Sequence, residues 1–130
     1  MILLDTNALI WWTTAPEKLS KKARNTIEKE IKEMEILISS ISVWEVFLLT
    51  KKNKIQLLID VELWLERIEN FSYIKFVSVD NRIAAHSIRL PDFHQDPADR
   101  IIVATALQYG ATLITSDKKI LDYRHVQTIW

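Results

Sequence analysis

The chain contains no cysteine and a single glycine, Gly110. The first absence excludes disulfides, a thiolate nucleophile and cysteine-ligated zinc or iron–sulfur centres. It also fits a reducing cytoplasm. The second excludes a glycine-rich phosphate loop. Net charge is missing too, since 17 basic residues balance 17 acidic ones. No whole-molecule positive field therefore draws in nucleic acid. No apolar run approaches the roughly 20 residues that span a bilayer. The N-terminus reads Met1-Ile2-Leu3-Leu4-Asp5, an early acid with no basic stretch, which argues against a signal peptide. The three histidines, His86, His94 and His125, show no metal-ligand spacing.

What is present is apolar residue in regular alternation. The 130 residues are 48% hydrophobic, enough for the core of one domain spanning 1–130. No linker, repeat or low-complexity stretch divides them. Ile2–Leu4 and Ile36–Ile38 are short apolar runs of the kind found in strands buried on both faces. Lys75–Val79, Ala111–Thr115 and Val126–Ile129 read as three more strands. Between them lie helical patterns at 7–12, 19–35, 42–52, 60–70, 80–89 and 96–109. The second has Leu19, Ala23, Ile27, Ile31 and Met34 on one face and Ser20 as N-cap. The last ends on Gly110 as a C′ residue. Strand–helix alternation of this kind predicts an α/β fold, a mainly parallel and roughly five-stranded sheet covered on both faces.

In such a sheet, ligands bind beyond the carboxyl ends of the strands. Asp5 directly follows the first strand, and Glu45 lies in the helix after the second. Asp99 opens the helix before the Ala111–Thr115 strand, and Asp117 follows that strand at once. All four converge on one edge. Each also has a capping reading. Asp5 suits the start of the first helix. Ser42-Val43-Trp44-Glu45 has the form of a capping box, and Asp96-Pro97-Ala98-Asp99 that of a helix start. Asp117 suits the turn running to Leu121. Caps, however, need no shared edge. Clustered carboxylates repel and raise one another's pKa values, and a divalent cation removes that penalty. Oxygen-only ligands point to Mg²⁺, with Mn²⁺ as the alternative, and so to phosphodiester hydrolysis by activated water.

Leu4-Asp5-Thr6-Asn7, Ser39-Ser40-Ile41-Ser42-Val43-Trp44-Glu45, His94-Gln95-Asp96-Pro97-Ala98-Asp99-Arg100-Ile101-Ile102-Val103-Ala104 and Thr115-Ser116-Asp117 occur in that order. Together they resemble the PIN domain, most closely its branch of VapC-type toxins from bacterial toxin–antitoxin pairs. The resemblance implies an α/β/α sandwich, magnesium-dependent endoribonuclease activity on RNA, and inhibition by a cognate antitoxin. It matches Asp5, Glu45, Asp99 and Asp117 to the family's acidic ligands, and Thr6 or Asn7 to its small polar position near the metal. Ser116 and Asp96 join them as supporting residues, with Asp96 read as the helix N-cap.

Two further expectations concern partners. Trp11, Trp12, Trp44, Trp64 and Phe47 are many large apolar side chains for one small core. With the resemblance, they point to a homodimer that also binds an antitoxin peptide. An acidic site repels phosphate until metal binds, so local cations must hold the RNA. Arg100, beside Asp99, is the first choice, and the Lys51-Lys52-Asn53-Lys54 turn the second. Two other readings stand against the nuclease. One is a PIN-like interaction module without turnover, which the intact acidic quartet disfavours. The other is a metal-dependent phosphatase or phosphoryl-transfer domain, which usually has two acids close together after the first strand.

Overall fold

The computed structural model describes residues 1–130. Its strands are β1 (Ile2–Leu4), β2 (Ile36–Ser39), β3 (Ile74–Val77), β4 (Thr112–Ile114) and β5 (Thr128–Ile129). They form one sheet, ordered β3-β2-β1-β4-β5, with every pairing parallel. The helices are α1 (Thr6–Thr14), α2 (Lys21–Glu33), α3 (Ser40–Lys51), α4 (Val61–Glu69), α5 (Asn81–Arg89), α6 (Pro97–Tyr109) and α7 (Lys118–Leu121), with a 3₁₀ turn at Pro16–Lys18. No helix is long and apolar enough to cross a membrane.

Period-two alternation sorts the strands' apolar side chains into two cores. Ile2, Leu4, Ile36, Ile38 and Ile114 face one core with α1, α2 and α4. Leu3, Leu37 and Leu113 face the other with α5 and α6. The architecture is therefore an α/β/α sandwich. The central strands are buried on both faces, which is why they read as unbroken apolar runs.

Two local readings are corrected. Met34 does not extend the buried face of α2. It takes a left-handed φ of 59° as the helix C-cap and is 48% exposed. The helix after β2 starts at Ser40, not near Ser42. Ser39 is its N-cap, accepting from the Ile41 amide, so Ser42 and Glu45 form no capping box. Gly110 does close α6 in the left-handed region, at φ 62°, where a side chain would be strained.

α6 is the most enclosed helix. Ala98, Ile102, Val103, Ala104, Thr105 and Ala106 are all buried. Small residues let it lie close to both the sheet and α5.

Candidate active site

The register of the sheet builds the site. Leu4 pairs with both Ile38 and Ile114, so these residues of β1, β2 and β4 lie level near the carboxyl edge of the sheet. The next residues, Asp5, Ser39 and Thr115, therefore emerge at one edge. Asp5 is the N-cap of α1, with Oδ1 accepting from the Ala8 amide at 2.7 Å. Asp117 is the N-cap of α7, with Oδ1 accepting from Lys119 at 2.8 Å. Asp96 is the N-cap of α6, with Oδ1 accepting from Asp99 at 3.0 Å. Capping and metal binding are thus not exclusive here. Each cap uses one carboxylate oxygen, and a carboxylate has acceptor capacity to spare for a cation. The positive ends of these helices also favour carboxylates at this edge.

Hydroxyl groups tie the acids together. Thr115 is fully buried. Its hydroxyl bonds the Asp5 carboxyl and accepts from the Asp117 amide at 3.0 Å. Thr6 donates to Oε1 of Glu45, and its Oγ1 lies 3.2 Å from that of the buried Ser42. Glu45 therefore owes its orientation to α1, a different helix from its own. Asp99 has a different neighbour: its Oδ2 lies 3.2 Å from Nε2 of His94. Nδ1 of that ring accepts from the Asp96 amide at 3.3 Å.

The electrostatics show the convergence. Burial raises the Asp5 carboxyl to about 6, and the charges of Asp117 and Glu45 push the same way against bonds from Thr115 and the Ala8 amide. Burial raises Glu45 as well, opposed by Thr6 and reinforced by Asp96. Asp99 rises to about 7, first by burial and then by the charges of Asp96, Asp117, Glu45 and Asp5. One carboxyl thus responds to four others.

No three of these side chains close into a ready cage for an ion. Magnesium does not require one. It keeps several waters and is usually held by one or two carboxylates together with substrate phosphate. An oxygen-only donor set under mutual repulsion fits that ion. Asp5, Glu45, Asp99 and Asp117 would hold it.

The other expected site residues divide. Asn7 is exposed, and its side chain makes no hydrogen bond; Ser116 is half-buried and also unbonded. Thr115 and Ser42, missed in the sequence, hold positions inside the network. The signal for Thr115 was its place in a strand, since a buried hydroxyl must find a partner.

Arg100 is a correction. It is buried, and its guanidinium donates to the backbone carbonyls of Ser87, Ile88, Leu90, Phe93 and His94 at 2.7–3.1 Å. A guanidinium has five N–H donors, so none remains for phosphate. Nor does it pair with Asp96 or Asp99. Lys51, Lys52 and Lys54 are exposed at the end of α3, on the order of 9 Å along the axis from Glu45.

Comparison with known proteins agrees with this architecture. The chain is 35% identical to Ribonuclease VapC22 of Mycobacterium tuberculosis, over 99% of this chain and 98% of that protein. Among solved structures, VapBC2 of Rickettsia felis bound to a promoter DNA fragment superposes with a TM-score of 0.73. Its identity is 19%, covering 99% of this chain and 98% of that one. A toxin–antitoxin complex of Klebsiella pneumoniae gives 0.67 at 22% identity, covering 100% and 97%. The PIN domain model matches residues 2–126. With its sheet order, acidic edge and near full-length relative, this chain belongs to the PIN domain family.

Proposed function

We propose that this chain is a magnesium-dependent endoribonuclease, with Mn²⁺ able to substitute, and the toxin of a toxin–antitoxin pair. The observation that carries the reading is the convergence of Asp5, Glu45, Asp99 and Asp117, felt at Asp99 as charge from the other three. The relative named as a ribonuclease supports RNA as the substrate. When bound, the divalent ion supplies Lewis-acid activation of water and neutralises charge at phosphorus. The chain's own groups do the rest. Thr6 and Thr115 fix Glu45 and Asp5. Helix starts at the edge favour the negative charge. Water attacks phosphorus, the bond to the 3′ oxygen breaks, and the products are a 5′-phosphate and a 3′-hydroxyl.

RNA incubated with the protein should be cut in Mg²⁺ and left intact in EDTA, with 5′-phosphate ends. Cleavage that persists in EDTA, or cyclic phosphate products, would overturn the reading. A small phosphate ester, tried in parallel, should remain uncut; its hydrolysis would favour a phosphatase.

Two protein partners belong to the same proposal. A solved structure of similar fold, from Klebsiella pneumoniae, is described as a toxin–antitoxin complex. A groove lined by Trp12, Ile31, Ile59, Trp64, Phe71 and Tyr73 offers an antitoxin peptide an apolar seat. The second partner is another copy of this chain. The aromatic residues do not all enter the core: Trp64 does, whereas Trp44 is 57% exposed on α3. That helix is apolar nearly all round, yet buries only Ser42 and Val46. Trp44→Glu should turn a dimer at tens of micromolar into a monomer in sedimentation velocity, with its melting temperature nearly unchanged. A wild-type protein that sediments as monomer would overturn the dimer.

A further inference from the structure

Resting on that reading of the acidic site, we infer that Arg100 is a positioning residue for it, acting through the 90–96 loop. α5 ends without a backbone cap at Leu90. Carbonyls in the last turn of a helix lack partners within it. Arg100 reaches back from the first turn of α6 and supplies them. Nε donates to Ser87 at 2.7 Å, and Nη2 donates to Ile88 and Leu90 at 3.1 Å each. Nη1 spans the loop, donating to Phe93 at 2.9 Å and His94 at 3.0 Å.

The loop so held carries site groups. His94 brings Nε2 to Oδ2 of Asp99 at 3.2 Å. Asp96 receives the Asp99 amide. The path from guanidinium to loop carbonyls, to His94 and Asp96, and to Asp99 closes within one turn of α6. A second tie pins the loop from the other side. The Tyr123 hydroxyl donates to Pro91 at 2.8 Å, and its ring lies against Phe93. The guanidinium has no carboxylate partner. Carbonyl dipoles absorb its charge, as suits the negative end of α5. Asp99 therefore forms no ion pair with Arg100, and its carboxyl faces His94 and the acidic edge.

The test is Mn²⁺ binding by titration calorimetry, with cleavage kinetics and amide hydrogen exchange alongside. In Arg100→Lys, which retains charge but fewer donors, exchange should quicken within 88–96 while the sheet amides stay protected. Mn²⁺ affinity should fall about tenfold, the usual loss when a ligand's supporting partner is removed. kcat should fall with it, while KM for RNA stays within a factor of about two. A Pro91→Gly, Gln95→Gly double variant loosens the loop with Arg100 intact and should lose Mn²⁺ affinity in the same direction. It decides the matter if Arg100→Lys does not fold. Mn²⁺ affinity equal to wild type in a folded Arg100→Lys, or in the loop variant, would overturn the inference alone. A wild-type protein that binds no Mn²⁺ would overturn the metal site itself, and the inference with it.

Discussion

Asp5→Asn and Asp117→Asn should each abolish metal-dependent cleavage while the protein stays folded. Both side chains cap helices through Oδ1, and under the proposed function both carboxylates would also hold the metal. Asparagine keeps a cap acceptor, and it ranks with aspartate at this position. It does not keep the charge. Loss of a group that merely supports a ligand costs roughly 10–100-fold. Loss of the ligand should exceed that, so the expected fall in kcat/KM is at least about a hundredfold. Circular dichroism and melting without metal check the fold, and initial rates in saturating Mg²⁺ check the chemistry. A variant that is folded and cuts within tenfold of wild type would remove its residue from the site. A variant that melts far below wild type without metal would mark that acid as structural.

The second large effect concerns stability. Asp99 is raised from its ordinary 3.8 to about 7, by burial first and then by neighbouring acids. Between those values the folded protein retains a proton that the unfolded chain has released. Raising the pH through this window therefore favours the unfolded chain. Metal-free stability should fall from about pH 4 to about pH 7 and then level off. Asp5, raised to about 6, adds to the fall over the lower part of the window. For Asp99 the upper limit is about 4 kcal/mol. Its side chain is 24% exposed and screened accordingly, so a loss of about 1–2 kcal/mol is the expected scale. Asp99→Asn should thus melt above wild type at pH 8 without metal and match it near pH 4. Saturating Mg²⁺ should reverse the order at pH 8, because only the wild type gains from binding. Lower metal-free stability of Asp99→Asn at pH 8 would show that this carboxylate supports the fold instead of straining it.

Element types were legible because their signals are local. Leu3, Leu37 and Leu113 lie within strands so short and apolar that only a sheet covered on both faces accommodates them. Asp5 could be placed at the edge because it directly follows β1, and Asp117 because it lies three residues past the end of β4. Helix starts were harder. Ser42 and Glu45 have capping-box spacing, but Ser39, level with the strand ends, took the cap. The register across β1 and β2 decided that, and register is a property of pairs of strands.

The sequence by itself determined a parallel α/β sheet, its acidic edge, and the donor chemistry suited to a hard divalent cation. Periodicity and adjacency carry those facts, and both are readable along one chain. Only the tertiary structure decided how the acids are held and what Arg100 does. An arginine beside Asp99 looks the same in sequence whether it faces solvent or the interior. Packing α5 against α6 brought five unpartnered carbonyls to its guanidinium. A buried carbonyl left unpaired costs desolvation free energy, and charge-assisted bonds from one guanidinium satisfy all five. Packing α1 against α3 set Thr6 on Glu45, and pairing β1 with β4 brought Thr115 to Asp5, contacts that only the folded chain brings within reach.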